Sequence, residues 1–154
     1  MKKLLIVSLL SAILIVSLGC GGTTYPWSIE QHTEKMENDP SVLLSVESDS
    51  LSVNGARFRL QNAADRYIAF GAEYRLQILQ GSIWYDIDIG TPDWTAEEYL
   101  VAPGDEFSMD VEWYSLYGEL PAGTYRFVKD FRFTNEDAQN LNDASVMICS
   151  FDIQ

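Results

Sequence analysis

The sequence predicts an all-β chain, an antiparallel sandwich of two stacked sheets built from seven to nine strands, and three observations predict it. Past Pro40 the apolar residues recur at every second position in run after run, the period of a strand with one dry and one wet face. Turn-forming residues separate the runs at short intervals: Asn54 with Gly55, residues 62–65, Gly81 with Ser82, residues 90–93, and Pro103 with Gly104. No stretch there carries an apolar pattern of period 3.6 long enough to force a helix. Antiparallel strands with one dry face must bury it, and this number of them pairs most economically as two layers.

The chain opens with Lys2 and Lys3, an apolar run over residues 4–16 broken only by Ser8 and Ser11, and small residues at Ser17 and Gly19 before Cys20. That layout is an export signal. The run meets polar residues 21–24 too soon for a spanning helix, which needs about 20 apolar residues, and it lacks a basic flank on its far side. Residues 17–20, SLGC, resemble the lipobox of bacterial lipoproteins, with Ser17 where that motif usually carries Leu. The resemblance implies a signal peptide over residues 1–19, cleavage before Cys20, and lipid attachment at the Cys20 thiol. Residues 20–40 would then be a lipidated cysteine and polar tether, and 41–154 the folded domain. Acyl chains contribute about 0.8 kcal/mol per buried methylene, so two or three of them would hold the protein durably on the outer face of a cell membrane, or on an outer membrane in a Gram-negative host.

Removing residues 1–19 takes two of the ten Lys and Arg residues and none of the 23 acidic ones, leaving 135 residues with a net charge of −15. Such a charge repels nucleic acid and anionic headgroups, so membrane attachment falls to the lipid. A chain of this size buries enough surface for one domain with its own core. Cys20 and Cys149 are the only cysteines, and acylation of Cys20 leaves no intramolecular disulfide.

Residues 21–40 are polar, contain Pro26 and Pro40 and lack clear periodicity, which reads as a tether, with Tyr25, Trp27 and Ile29 able to dock on the domain instead. The candidate strands follow at 42–47, 51–53, 56–61, 72–79, 83–87, 98–101, 106–112, 124–133 and 145–153. Alternation assigns Phe58 and Leu60, Tyr74, Leu76 and Ile78, and Phe107, Met109 and Val111 to the core. It assigns Arg57, Arg59 and Gln61, Glu73, Arg75 and Gln77, and Ser108 and Asp110 to the outside. In the last strand Met147, Cys149, Phe151 and Ile153 take the dry face, where a lone cysteine acts as a small hydrophobe.

Residues 120–125, LPAGTY, have the form of a tyrosine corner, in which Tyr125 folds its hydroxyl back onto the chain just upstream and Gly123 permits the approach. Immunoglobulin-like sandwiches use this device. The order of motifs also resembles the bacterial Ig-like domains of extracellular, mostly Gram-positive, lipoproteins. Three blocks carry the likeness: FRLQNAADRYIAFGAEYRLQIL at 58–79 with IWYDI at 83–87, LVAPGDEFSMDV at 100–111, and YGELPAGTYRFVKDF at 117–131. The family's Asn after a strand, Phe–Gly step, Trp–Tyr pair, Pro–Gly turn, and late Gly, YR and VK fall on Asn62, Phe70, Gly71, Trp84, Tyr85, Pro103, Gly104, Gly123, Tyr125, Arg126, Val128 and Lys129. The resemblance implies an immunoglobulin-like sandwich over roughly residues 42–153, without the inter-sheet disulfide of antibody domains, and an accessory or binding role. It carries over no catalytic residue.

His32 is the only histidine and falls in the tether, which leaves Ser–His–Asp and Cys–His arrangements without a placed base, and no Cys or His spacing suits zinc. A noncatalytic protein without cofactor or resident metal is expected. Asn135, Glu136, Asp137, Asn140, Asn142 and Asp143 offer oxygen ligands of the kind calcium takes, or simply a solvated loop over 134–143. Asp86, Asp88 and Asp93 invite the same choice, with exposed strand and loop positions the plainer reading. Trp94, Trp113, Tyr114 and Tyr117 lie in or beside loops, where they would bind a protein or envelope glycan, or plug one end of the sandwich. The expectation is a monomeric, membrane-anchored binding module. The alternative is a protease inhibitor acting through the loop at 90–97.

Overall fold

The computed structural model describes residues 27–137 and 140–154, with the backbone alone at 140–143. Along the chain run β1 (Ser28–Gln31), β2 (Val42–Val46), β3 (Gly55–Asn62), β4 (Tyr67–Gly71), β5 (Arg75–Gln80), β6 (Ile83–Asp88), β7 (Glu98–Val101), β8 (Glu106–Glu112), a single helical turn α1 (Tyr114–Tyr117), β9 (Gly123–Thr134) and β10 (Asn140–Ile153). The architecture is the expected all-β sandwich of antiparallel strands. One sheet is β2-β3-β8; the other runs β1-β6-β5-β9-β4-β7, with β10 along the second flank of β9. Because β10 occupies one flank of β9 from Gly123 to Arg132, β4 and β5 must share the other. They lie in file there, Ile78 opposite Tyr125 and Ala69 opposite Arg132, with residues 72–74 as an irregular joint between them.

Alternation placed the core well. Phe58, Leu60 and Leu76 are fully enclosed, and Tyr74, Ile78, Met147, Cys149, Phe151 and Ile153 are buried. Phe58 of one sheet stacks on Phe127 of the other at 4.2 Å, which closes the sandwich. Each large side chain so buried stabilises the fold by about 1.5–3 kcal/mol. Cys149 is a free, buried thiol, and burial pushes its pKa up, away from reactivity.

The structure corrects several expectations. The strand expected at 72–79 begins later, as β5 at Arg75, and a separate strand before it, β4, escaped notice because Ile68, Ala69 and Phe70 are all buried, which erases the two-residue period. Residues 51–53 form no strand, since the Val53 carbonyl is spent on the Trp113 indole (2.8 Å) and the Leu120 amide (3.0 Å). The loop expected to run to Asp143 ends sooner, with β10 pairing from Asn140 and shifting register before Ala144. With β1 added, the described residues hold ten strands, one beyond the range expected.

Part of the expected tether is docked. Ile29 pairs opposite Ile87 on the edge of β6, and the Trp27 indole N–H donates to the Tyr117 carbonyl at 2.7 Å. Beyond β1 the chain crosses the outer face of the larger sheet, where His32 Nδ1 donates to Asp86 Oδ2 at 2.7 Å and Met36 lies against Gln77. It reaches the edge of β10 at Asn38, whose side chain accepts from the Ile148 N–H (2.6 Å) and donates to the Ile148 carbonyl (3.1 Å). This strap is why Gln77, expected outside, is fully buried. Cys20, Tyr25 and the expected signal peptide at 1–19 lie outside the described residues.

Tyr125 forms the expected corner, donating from its hydroxyl to the Pro121 carbonyl at 2.7 Å. Gly123 is not what permits it: a Cβ there would stand 3.5 Å from the Tyr125 ring, an ordinary contact.

Candidate functional site

Strand β8 is an outer member of its sheet, and none of the apolar residues in its inward row is fully buried. Phe107, Met109 and Val111 are half-buried where the corresponding residues of β3 are enclosed. Opposite them the irregular joint at 72–74 separates β4 from β5. The two features leave a cleft of about 350 Å³ between the sheets, at the lower end of the range for small-molecule sites, roughly 300–1,000 Å³.

Two groups of rings shape it. Phe70, Tyr99 and Phe107 contact one another at centroid separations of 5.1–5.6 Å. Tyr74 stacks on Phe127 at 5.1 Å and takes the edge of Trp94 at 5.1 Å. Burial raises the Tyr74 phenol above its ordinary pKa, so it stays neutral. Tyr99 donates to a Glu97 carboxylate oxygen at 2.7 Å, and that hydrogen bond raises its phenol as well.

Lys129 also lines the cleft and is only 3% exposed. It belongs to the inward row of β9, between Tyr125 and Phe127 on one side and Phe131 and Phe133 on the other. Its ammonium donates to the Glu73 carbonyl at 2.8 Å and stands 5.3 Å from the centre of the Phe70 ring. Burial lowers its pKa from 10.5 to about 8, against the opposing pull of Asp130 and Glu73. Sequence reasoning passed over this residue except as a motif position. The available signal was a cation in the middle of a period-two apolar row.

The four aromatics expected at a binding surface do not form one. In α1 the four-residue spacing turns Trp113 and Tyr117 to the same inner side while Tyr114 faces out, 56% exposed. Trp113 is enclosed, stacked on Phe151 at 5.4 Å, and Tyr117 is enclosed with its phenol pushed up to about 12 by burial. Trp94 is half-buried against Tyr74, so it borders the cleft instead of standing free. Trp113 and Tyr117 are therefore core residues, the end plug that was the alternative.

His32 acquires a carboxylate partner, Asp86, which Gln77 Nε2 also contacts at 2.8 Å. Nε2 of His32 and Oε1 of Gln77 are buried without a hydrogen-bond partner. Among the described residues no nucleophilic side chain is bonded to the imidazole. Asp88 caps the turn at the Gly90 amide (2.8 Å). Among the described residues no group of three His, Cys, Asp or Glu could hold a metal ion; the side chains of Asn140, Asn142 and Asp143 lie outside them.

A family model described as bacterial Ig-like domain matches residues 38–143, well over half of the chain. The chain belongs to that family. A comparison with curated proteins finds no match. Within this bacterial Ig-like domain the matched stretch contains β4, β7, β8 and Lys129, hence the whole cleft, while the β1 strap precedes it. Members of the family are generally noncatalytic modules.

Proposed function

We propose that this bacterial Ig-like domain is a noncatalytic binding module, held on the extracellular face of a bacterial membrane by an acylated Cys20, and that its cleft engages a protein or cell-envelope polymer. One observation carries the binding surface. The inward row of β8 leaves Phe107, Met109 and Val111 only partly buried beside an aromatic cleft, although their neighbours on β3, Leu60, Phe58 and Ala56, are buried. The anchor rests on residues 1–20, where a basic start and an apolar run end on a cysteine.

Saturable binding of the protein to isolated envelopes tests the cleft. Met109→Glu, which puts a carboxylate into the apolar wall, is expected to weaken it about tenfold or more, since an unpaired charge in an apolar site is costly. Equal binding by both would remove the cleft from consideration. Mass spectrometry of the mature N-terminus tests the anchor: a diacylglyceryl Cys20 is expected, and an unmodified residue would refute it.

A second reading, protease inhibition, draws on the loop at 90–97, where Thr91, Asp93, Thr95 and Ala96 are exposed around the anchored Trp94. Failure to inhibit a panel of proteases at micromolar concentration would dispose of it.

A further inference from the structure

Lys129 is a buried cation with an incomplete set of partners. An ammonium carries three N–H donors, and here the Glu73 carbonyl takes one while the Phe70 ring faces the charge. Among the described residues no carboxylate forms an ion pair with it. A charge taken out of water without a counter-ion is costly, and this one belongs to a residue that lines the cleft.

The carboxylates around the cleft do not answer it, because they are committed elsewhere. Asp110 forms a two-pronged pair with Arg57 (2.7 and 3.3 Å). Glu112 accepts from the amide and hydroxyl of Ser115 (3.1 and 3.0 Å), and Glu97 holds Tyr99. Asp130 pairs with Arg75 (2.6 and 3.0 Å), and Glu73 meets the ammonium through its carbonyl, its carboxylate acting on Lys129 from beyond ion-pair distance; a counter-ion in contact with the ammonium would come from outside. Its charge is set by the single ammonium: a monoanion balances it, whereas a phosphate dianion would leave net charge in a dry site. Its body is set by the apolar part of the walls, Phe70, Tyr74, Phe107, Met109 and Val111, which stand beside Ser108, Asp110 and Glu112 in the lining.

From this geometry we infer that the cleft is a site for a small apolar monocarboxylate, its carboxylate on the Lys129 ammonium and its alkyl or aryl body between β8 and the β4–β5 joint. The inference rests on the reading of the chain as a binding module and narrows what the same cleft takes to an apolar monocarboxylate, free or presented as a group on the protein or envelope polymer.

The test is titration of the purified protein with 4-phenylbutyrate, followed through the Met109 methyl resonance, with 4-phenylbutanol as the neutral counterpart. Saturable displacement of that resonance by the acid is expected, with the alcohol weaker by about tenfold or more, since a charge-assisted hydrogen bond is worth roughly 1.5–3 kcal/mol. Lys129→Met is expected to abolish the preference for the acid. Equal affinity for acid and alcohol, or an undiminished preference in the variant, overturns the ammonium's role but leaves the cleft as a binding surface. A Met109 resonance that neither compound moves overturns the inference outright, and the envelope experiment then decides the broader reading by itself.

Discussion

The Tyr125 hydroxyl donates to the Pro121 carbonyl across 2.7 Å, and so fixes the path by which the chain enters β9. The ring below that hydroxyl is fully buried and stacks on Phe151 at 5.7 Å. Tyr125→Phe keeps the ring and removes the donor, leaving a carbonyl to find another partner. A loss of about 1 kcal/mol is expected from urea unfolding midpoints; an unchanged midpoint would show that the corner is held by packing alone.

Asn62 is a larger commitment. It is fully buried, and the two N–H bonds of its amide serve the carbonyls of Arg66 (2.8 Å), Val101 (3.0 Å) and Ala102 (3.1 Å), while its oxygen accepts from the Ala64 amide (3.1 Å). One side chain thereby ties the β3–β4 connection to the β7–β8 connection. Asn62→Ala strands several buried carbonyls and is expected to cost about 3 kcal/mol. Asn62→Asp should cost more, because a carboxylate donates nothing and faces three carbonyl oxygens. Reversed order of the two variants in denaturant unfolding would contradict this account.

How much of this was legible follows from which interactions are local. β3, β7 and β8 were readable because each has one wet face, so the two-residue period survives in the sequence. β1 was not, because four residues of a polar stretch become a strand only where the edge of β6, more than fifty residues later, accepts Ile29. Gln77 was misplaced for the same reason: alternation sends it outward correctly, but nothing local reveals that residues 32–36 come back to cover it. Asn62, Phe70 and Lys129 stood out as motif positions, yet their roles depend on carbonyls and rings from other strands. Trp113 and Tyr117 were separable from Tyr114 by helical spacing alone, had the short turn at 114–117 been recognised.

Lys129 gives a pH signature. Its pKa falls from 10.5 to about 8 on burial, so between those values the unfolded chain holds a proton that the folded chain has released. Stability contributed at this residue therefore rises with pH from 8 to 10.5, and below pH 8 the fold carries the buried charge at full cost. Lys129→Met is expected to be more stable than the parent at pH 7, with the gap narrowing through pH 8–10. Urea midpoints of both proteins across that range provide the check, and parallel profiles would show that the ammonium is better compensated than its single carbonyl suggests.

The strap supplies the last prediction, because its ends are held independently of its middle. Trp27 contributes an indole N–H to the Tyr117 carbonyl and packs against the core, while Asn38 forms its two hydrogen bonds with Ile148 on the far edge of the sheet. Trp27→Ala removes the hydrogen bond and the ring contacts together, and should free β1 from β6 without opening the β9–β10 pair. Faster amide exchange at Glu30 and Gln31, with little change at Val128 and Met147, is the expected pattern. It also bears on the proposed anchor: with Trp27 docked, only the seven residues from Cys20 would separate the proposed lipid attachment from the domain, a reach of at most about 25 Å. Release of the strap would lengthen that reach, so a protease added to membrane-anchored protein should cut within residues 27–38 faster in Trp27→Ala than in the parent. Equal cutting rates would mean that β1 holds its place on β6 without the indole.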